Sequence, residues 1–146
     1  MELDGISRRV IGCTYDVADG LGAGFLEKVY ENALAHEIRK MGLQVRQQHC
    51  VQVKYDGVIV GDFAADLLVQ DCVLVELKAC KAFDDIHAAQ CMNYLRATGL
   101  SVLLTDKFRK SEGANQKDCA SLLICVHLLR SAFICVAGLY GEFAHH

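Results

Sequence analysis

Between Phe63 and Ala79 the chain reads FAADLLVQDCVLVELKA, two runs of β-branched and other apolar residues on either side of a polar Gln70-Asp71-Cys72. That pattern predicts a β-hairpin with a three-residue loop. If Val69 faces Val73, then Leu68 faces Leu74, Asp66 faces Glu76 and Ala64 faces Lys78. Side chains alternate along a strand, so all of these share one sheet face. The other face sets Phe63, Ala65, Leu67 and Val69 against Val73, Val75, Leu77 and Ala79 and is wholly apolar. The hairpin is therefore expected to be buried on both sides.

The rest of the chain falls into elements around this hairpin. Ile6, Val10, Cys13 and Val17 recur at helical spacing behind Asp4, a candidate N-cap, and the cluster Gly20, Gly22 and Gly24 is expected to break that helix. A second helix is predicted from about Phe25 to Met41, with Leu26, Val29, Ala33, Leu34 and Ile38 as its buried stripe and Gly42 as its stop. Strands follow at Gln44 to Gln48, Val51 to Tyr55 and Val58 to Asp62, the last two joined by an Asp56-Gly57 turn. Beyond the hairpin, Asp84 or Asp85 caps a helix from Ile86 to about Thr98, closed by Gly99. Its core stripe is Ala88, Cys91, Met92 and Leu95, while His87, Gln90 and Tyr94 share a more polar face. Ser101 to Leu104 reads as a buried strand.

Composition narrows the class. At 146 residues, 53% of them hydrophobic, the chain is long enough for one domain with a real core and too apolar for general disorder. A net charge of −3 provides no global basic footprint, so nucleic-acid contact has to come from a local patch. The eight cysteines form no CxxC pair and no zinc-ligand spacing. With no signal peptide evident, reduced thiols in a cytoplasmic protein are expected. The apolar run from Ala120 to Gly141 approaches the length of a membrane span. His127 and Arg130 lie near its middle, however, and an arginine there costs about 2.5–3.5 kcal/mol on insertion. A helix or two packed on the core, or a poorly ordered tail, is the expectation, rather than a membrane partner.

The chemistry lies at one end of the hairpin, where Asp66, Glu76 and Lys78 interrupt an otherwise greasy sheet. Two carboxylates about 4 Å apart repel by roughly 4 kcal/mol at an effective dielectric near 20, and one would normally take a proton. A divalent cation removes that cost. Hard oxygen ligands suit magnesium, manganese or calcium, and magnesium is typically held by one or two carboxylates with water and substrate phosphate completing its shell. A cross-strand ion cluster on a half-exposed sheet is the alternative. Glu27 has a similar plain reading, since acids near helix N-termini are favoured by the dipole.

Taken together the residues resemble a known pattern. Gly24-Phe25-Leu26-Glu27-Lys28-Val29-Tyr30 has the form GxxExxY, Asp66 followed by Glu76-Leu77-Lys78 has the D…ExK form, and Gln90 to Tyr94 is similar to QxxxY. Over residues 6 to 104 the chain resembles the GxxExxY proteins of the PD-(D/E)XK nuclease superfamily. The resemblance implies an α/β fold, a PD-(D/E)XK nuclease-like core with a mixed central β-sheet flanked by helices. It also implies metal-dependent hydrolysis of phosphodiester bonds in nucleic acid, DNA above all, with Mg2+ or alternatively Mn2+. Carried over by position, Asp66 and Glu76 would hold the metal with the Leu77 carbonyl as a further ligand, and Glu27 would add a carboxylate from the helix. Lys78 would orient the attacking water and stabilise developing charge, while Gln90 and Tyr94 would position substrate or the metal's water. A metal acts in such a site as Lewis acid and source of hydroxide, and a fixed cation stabilises charge where it develops.

There are departures. The family usually has a His where this chain has Ala18, a Pro where it has Ala23 and a basic residue where it has Ala64, the last weakening phosphate binding. After Leu104 the family continues through an Asn-Phe-Gly turn into a basic strand, whereas this chain reads TDKFRKSEGANQKD. Codons that encode KFRKSEGANQKD also permit NFGKARVQIKK one nucleotide later, which has the expected form. A one-nucleotide frameshift near Thr105 to Lys107 is therefore inferred, dividing a nuclease-like domain at 1–104 from an atypical apolar tail at 105–146. The tail is then expected not to complete the sheet. Alternatives to a nuclease are a non-cleaving module that binds nucleic acid or a protein partner, and a non-functional frameshifted remnant left with an unpaired sheet edge.

Overall fold

The computed structural model describes residues 2–22, 24–78, 85–100, 102–107, 121–128 and 132–139, with the side chains of 85–89, 91, 92 and everything beyond 100 outside that description. The elements run α1 (Leu3–Leu21), α2 (Glu27–Lys40), β1 (Val45–Tyr55), β2 (Val58–Val69), β3 (Val73–Lys78), α3 (Asp85–Thr98), β4 (Val102–Lys107), β5 (Ser121–Leu128) and β6 (Ala132–Leu139). The strands form one six-stranded sheet in the order β1-β2-β3-β4-β5-β6. Among the described strands only β3 and β4 are parallel neighbours, joined by the α3 crossover, and the other neighbours are antiparallel. This is the mixed α/β architecture expected from the sequence.

Helices cover both faces. Ile6, Val10, Cys13 and Val17 of α1 and Tyr30, Leu34, Ala35 and Ile38 of α2 form one core with Leu67, Val69, Val73, Val75 and Leu77. A smaller core joins Leu95 of α3 to Val51, Ala65, Leu68 and Leu74, with Phe63 and Tyr94 packed against it. The central hairpin has the expected register, Val69 opposite Val73 and Leu68 opposite Leu74. Its turn puts Gln70 and Asp71 at φ 52° and 56°, the left-handed pair that matches strand twist. The Asp56-Gly57 turn is built the same way, at φ 52° and 75°.

Several expectations need correction. Asp4 lies in the first turn of α1 and pairs with Arg8 at 3.1 Å instead of capping the helix, whose N-cap is Glu2. Helix α1 runs through Gly20 and stops at Gly22, φ 70°. The buried stripe of α2 is Tyr30, Glu31, Leu34, Ala35 and Ile38, while Leu26 and Val29 are exposed, because two i, i+4 rows beginning at Tyr30 and Glu31 face the core. Of the stripe predicted for α3, Leu95 is fully buried, and the side chains of Ala88, Cys91 and Met92 lie outside the described residues, as does that of His87. The segments predicted as separate strands before and after residue 50 are the single strand β1.

The tail differs most. Residues expected to pack as one or two helices form β5 and β6, which pair antiparallel with β4 and with each other and extend the sheet. Two eight-residue apolar runs either side of Arg130 suit strand lengths better than one long helix. Residues 108–120, where a basic strand would fall in the shifted frame, lie outside the described residues. No helix among the described residues is long and apolar enough to cross a membrane. Cys13, Cys50 and Cys72 are free thiols.

Candidate active site

Besides a register shift between Val53 and Lys54, the β1–β2 ladder is irregular at one rung beside the pocket. In the β1–β2 ladder Gln47 pairs with Leu67 and His49 with Ala65, but the rung between them, Gln48 opposite Asp66, is absent. Gln48 has φ 52°, a left-handed conformation costing a non-glycine residue about 1–3 kcal/mol. Both strands change phase at this rung. Val45, Leu67 and Val69 pack towards α1 and α2, whereas Val51, Phe63 and Ala65 pack towards α3. Phe63 and Ala65 thus lie on the opposite face from the one assigned by strict alternation along β2.

The break brings Asp66 to the α2 side. The β2–β3 ladder ends at Leu67 opposite Val75, and beyond it side-chain carboxylates take the main-chain donors. The Leu77 N–H donates to Asp66 Oδ2 at 2.8 Å, and the Asp66 N–H donates to Glu76 Oε1 at 3.2 Å. Asp66 and Glu76 are thereby locked to each other's strand. Gln48 Nε2 donates to Asp66 Oδ1 at 3.3 Å and also to Glu31 Oε1. Glu31 is 2% exposed and pairs through Oε2 with the Lys28 ammonium, with the Gln47 amide at 3.4 Å.

A pocket of about 520 Å³ opens here, lined on one side by Phe25, Leu26, Glu27 and Lys28 and on the other by Gln48, Asp66 and Leu77, with Glu31 at its back. Its near wall is fixed by Tyr30. The buried Tyr30 hydroxyl donates to the Gly22 carbonyl at 2.6 Å and accepts the Phe25 N–H at 3.2 Å, so the loop that carries Gly24 at φ 109° is tied to the first turn of α2. Electrostatics mark Asp66. Burial pushes its carboxyl above the ordinary range and the Glu31 and Glu27 charges add to this, against the Leu77 N–H and Gln48 bonds that favour the ionised form.

The residues singled out from sequence are distributed unevenly around this pocket. Glu27, Asp66 and Leu77 line it. Glu76 is buried on β3 and joined to Asp66 through the main chain, without itself lining the pocket. Lys78 is half-buried at the end of β3, beside Lys107 of β4 in the parallel register, and makes no ion pair with Asp66 or Glu76. Gln90 is exposed on α3. Tyr94 stacks on Phe63, ring centroids 4.0 Å apart and planes 16° from parallel, and neither Gln90 nor Tyr94 reaches the pocket wall. Glu31, Gln48 and Lys28 were missed. The available signal was Glu31 itself, a charged residue one place after Tyr30 on the face that α2 buries.

The sequence pattern of the PD-(D/E)XK nuclease superfamily matches residues 4–117. The chain belongs to that superfamily, whose members act on nucleic acid and generally use divalent metals. No curated protein and no solved structure matches it.

Proposed function

We propose that this protein is a magnesium-dependent nuclease, a hydrolase of phosphodiester bonds in DNA, of the GxxExxY type within its superfamily. The observation that carries the reading is the reciprocal main-chain lock between Asp66 and Glu76 beside a pocket that Glu27 also lines. No three His, Cys, Asp or Glu residues cage a metal among the described residues. Magnesium is nonetheless suited to such a donor set, since one or two carboxylates suffice and water and phosphate oxygens complete its shell.

In this reading Asp66, Glu76 and the Leu77 carbonyl would hold Mg2+ or Mn2+, and Glu27 would contribute through water. The bound ion supplies Lewis acidity and lowers the pKa of a water. Lys78 orients the attacking water and meets the charge that develops on phosphorus-bound oxygen. Gln90 and Tyr94 position the substrate strand. The proposed division into a nuclease unit at 1–104 and an out-of-frame tail has against it a superfamily match that runs to residue 117 and a sheet that β5 and β6 extend, and resequencing the codons for Leu104 to Ser111 tests it directly. A cytoplasmic location accords with the free thiols.

The deciding experiment incubates the purified full chain with single- and double-stranded DNA and RNA in Mg2+, Mn2+ or chelator. Cleavage of DNA in either ion is expected, with chelator and Asp66→Asn each reducing it to background. Cleavage that persists in Asp66→Asn rejects the site. A second reading, non-cleaving binding, is favoured by Ala64 in place of a basic residue, and retarded migration of intact DNA would support it.

A further inference from the structure

Glu31 has no part in the reaction just described, yet it is one of three buried polar or charged residues among those described. Its neighbours on the buried face of α2 are Tyr30, Leu34, Ala35 and Ile38, an apolar setting that a carboxylate leaves water to enter only at a cost. Donors satisfy it there: the Lys28 ammonium and the Gln47 amide on Oε2, and the Gln48 amide on Oε1. The Gln48 amide carries two N–H groups, and Nε2 also donates to Asp66 Oδ1 at 3.3 Å. One primary amide therefore bridges the two carboxylates. The residue that supplies it holds φ 52° within β1, on the rung opposite Asp66. A non-glycine residue persists in that conformation only where its surroundings impose it. Here the turn of the backbone directs the side chain to the α2 face, where Glu31 lies.

We propose that Glu31 and Gln48 are a positioning pair for Asp66: the buried carboxylate fixes the amide, and the amide fixes Asp66 Oδ1 in the orientation that meets a divalent cation. This rests on the metal-dependent reading of the site. A link serving only to fasten β1 to α2 is already present, since the Gln47 amide reaches Asn32 Oδ1 at 2.8 Å as well as Glu31. The two roles separate experimentally. Loss of a role that is fastening alone lowers stability and leaves ion affinity unchanged, whereas loss of a positioning role lowers ion affinity whatever the change in melting temperature.

The test is Mn2+ binding by calorimetry on the full chain, comparing the parent with Gln48→Met, Glu31→Gln, their combination and Asp66→Asn, each with its melting temperature. Gln48→Met is expected to weaken Mn2+ binding by about tenfold or more, the range for hydrogen-bond partners of metal ligands. Glu31→Gln weakens it in the parent and costs less in the Gln48→Met background, because the hydrogen-bonded part of its effect on Asp66 passes through that amide and only its charge acts directly. Should Gln48→Met not fold, Gln48→Gly carries the same expectation with the left-handed backbone relaxed. Unchanged affinity in a folded Gln48 variant, or additive losses in the combination, overturns the positioning pair alone. A parent that binds no Mn2+ overturns the metal reading and this inference with it.

Discussion

Removing the Tyr30 hydroxyl tests what the glycine loop does for the pocket. Tyr30→Phe keeps the ring, including its edge-on contact with Phe25 at a centroid separation of 6.2 Å and 74° between planes. It deletes the bond donated to Gly22 O at 2.6 Å and the bond accepted from Phe25 N at 3.2 Å. Each such bond contributes about 0.5–1.5 kcal/mol net, so the pair is worth about 2 kcal/mol. At about 2–4 °C per kcal/mol for a chain near this size, the melting temperature should fall by about 4–8 °C. Thermal and urea unfolding of the metal-free protein measure the loss. Hydrogen exchange at the Phe25 amide adds a local readout, since that group loses its acceptor. Gly24→Ala should act in the same direction, as φ 109° is strained for a side-chain-bearing residue. Nothing lies within 4 Å of an added Cβ there, so the penalty is conformational and not a clash. Both changes loosen the wall that carries Glu27 and should lower cleavage. A Tyr30→Phe protein within about 0.5 kcal/mol of the parent, the range of an ordinary surface substitution, would refute the idea that this hydroxyl holds the loop.

Two further outcomes concern the site. Lys78→Met should lower turnover by about 100-fold or more with substrate affinity little changed, since the lysine is assigned to charge that develops during reaction; a defect confined to binding would contradict this. Metal-free stability should respond to Asp66, whose carboxyl is raised above 3.8 chiefly by burial. The folded state then keeps a proton that the unfolded state has lost, so stability falls as pH rises through the folded value. Asp66→Asn should remove that decline, and melting temperatures of variant and parent measured in chelator should diverge in favour of the variant towards neutral pH. Parallel curves would count against it.

The hairpin was legible because two signals agree there: uninterrupted apolar runs and a polar turn of the right length, which fix Val69 opposite Val73. Asp66 and Glu76 stood out as charges within that otherwise apolar hairpin, and the structure ties them to each other through main-chain donors. The α2 stripe was misread because it was counted from the apolar Leu26 and Val29, and a stripe chosen on apolar positions alone leaves out the buried Glu31. The tail was misread because an apolar run such as SLLICVHL carries no period that separates strand from helix. Its assignment depends on β4, whose edge β5 covers, and a pairing between distant segments is not written in either one.

The phase change at Gln48 and Asp66 was out of reach for a further reason. Alternation assumes that every residue in a strand is extended, and the residues expected to break it are glycine, asparagine and aspartate. Gln48 is none of these, so nothing local announces φ 52°. Yet without that break Asp66 would stay on the face of Leu68 and Leu74, towards α3, and Glu27 and Glu31 would lie across the sheet from it. With the break, Asp66 keeps its main-chain tie to Glu76 while its free edge turns to α2. Local preference and site geometry disagree at this rung, which is where a fold gives up regularity for function. The same irregularity that defeats a period-two reading of β1 and β2 therefore assembles the pocket.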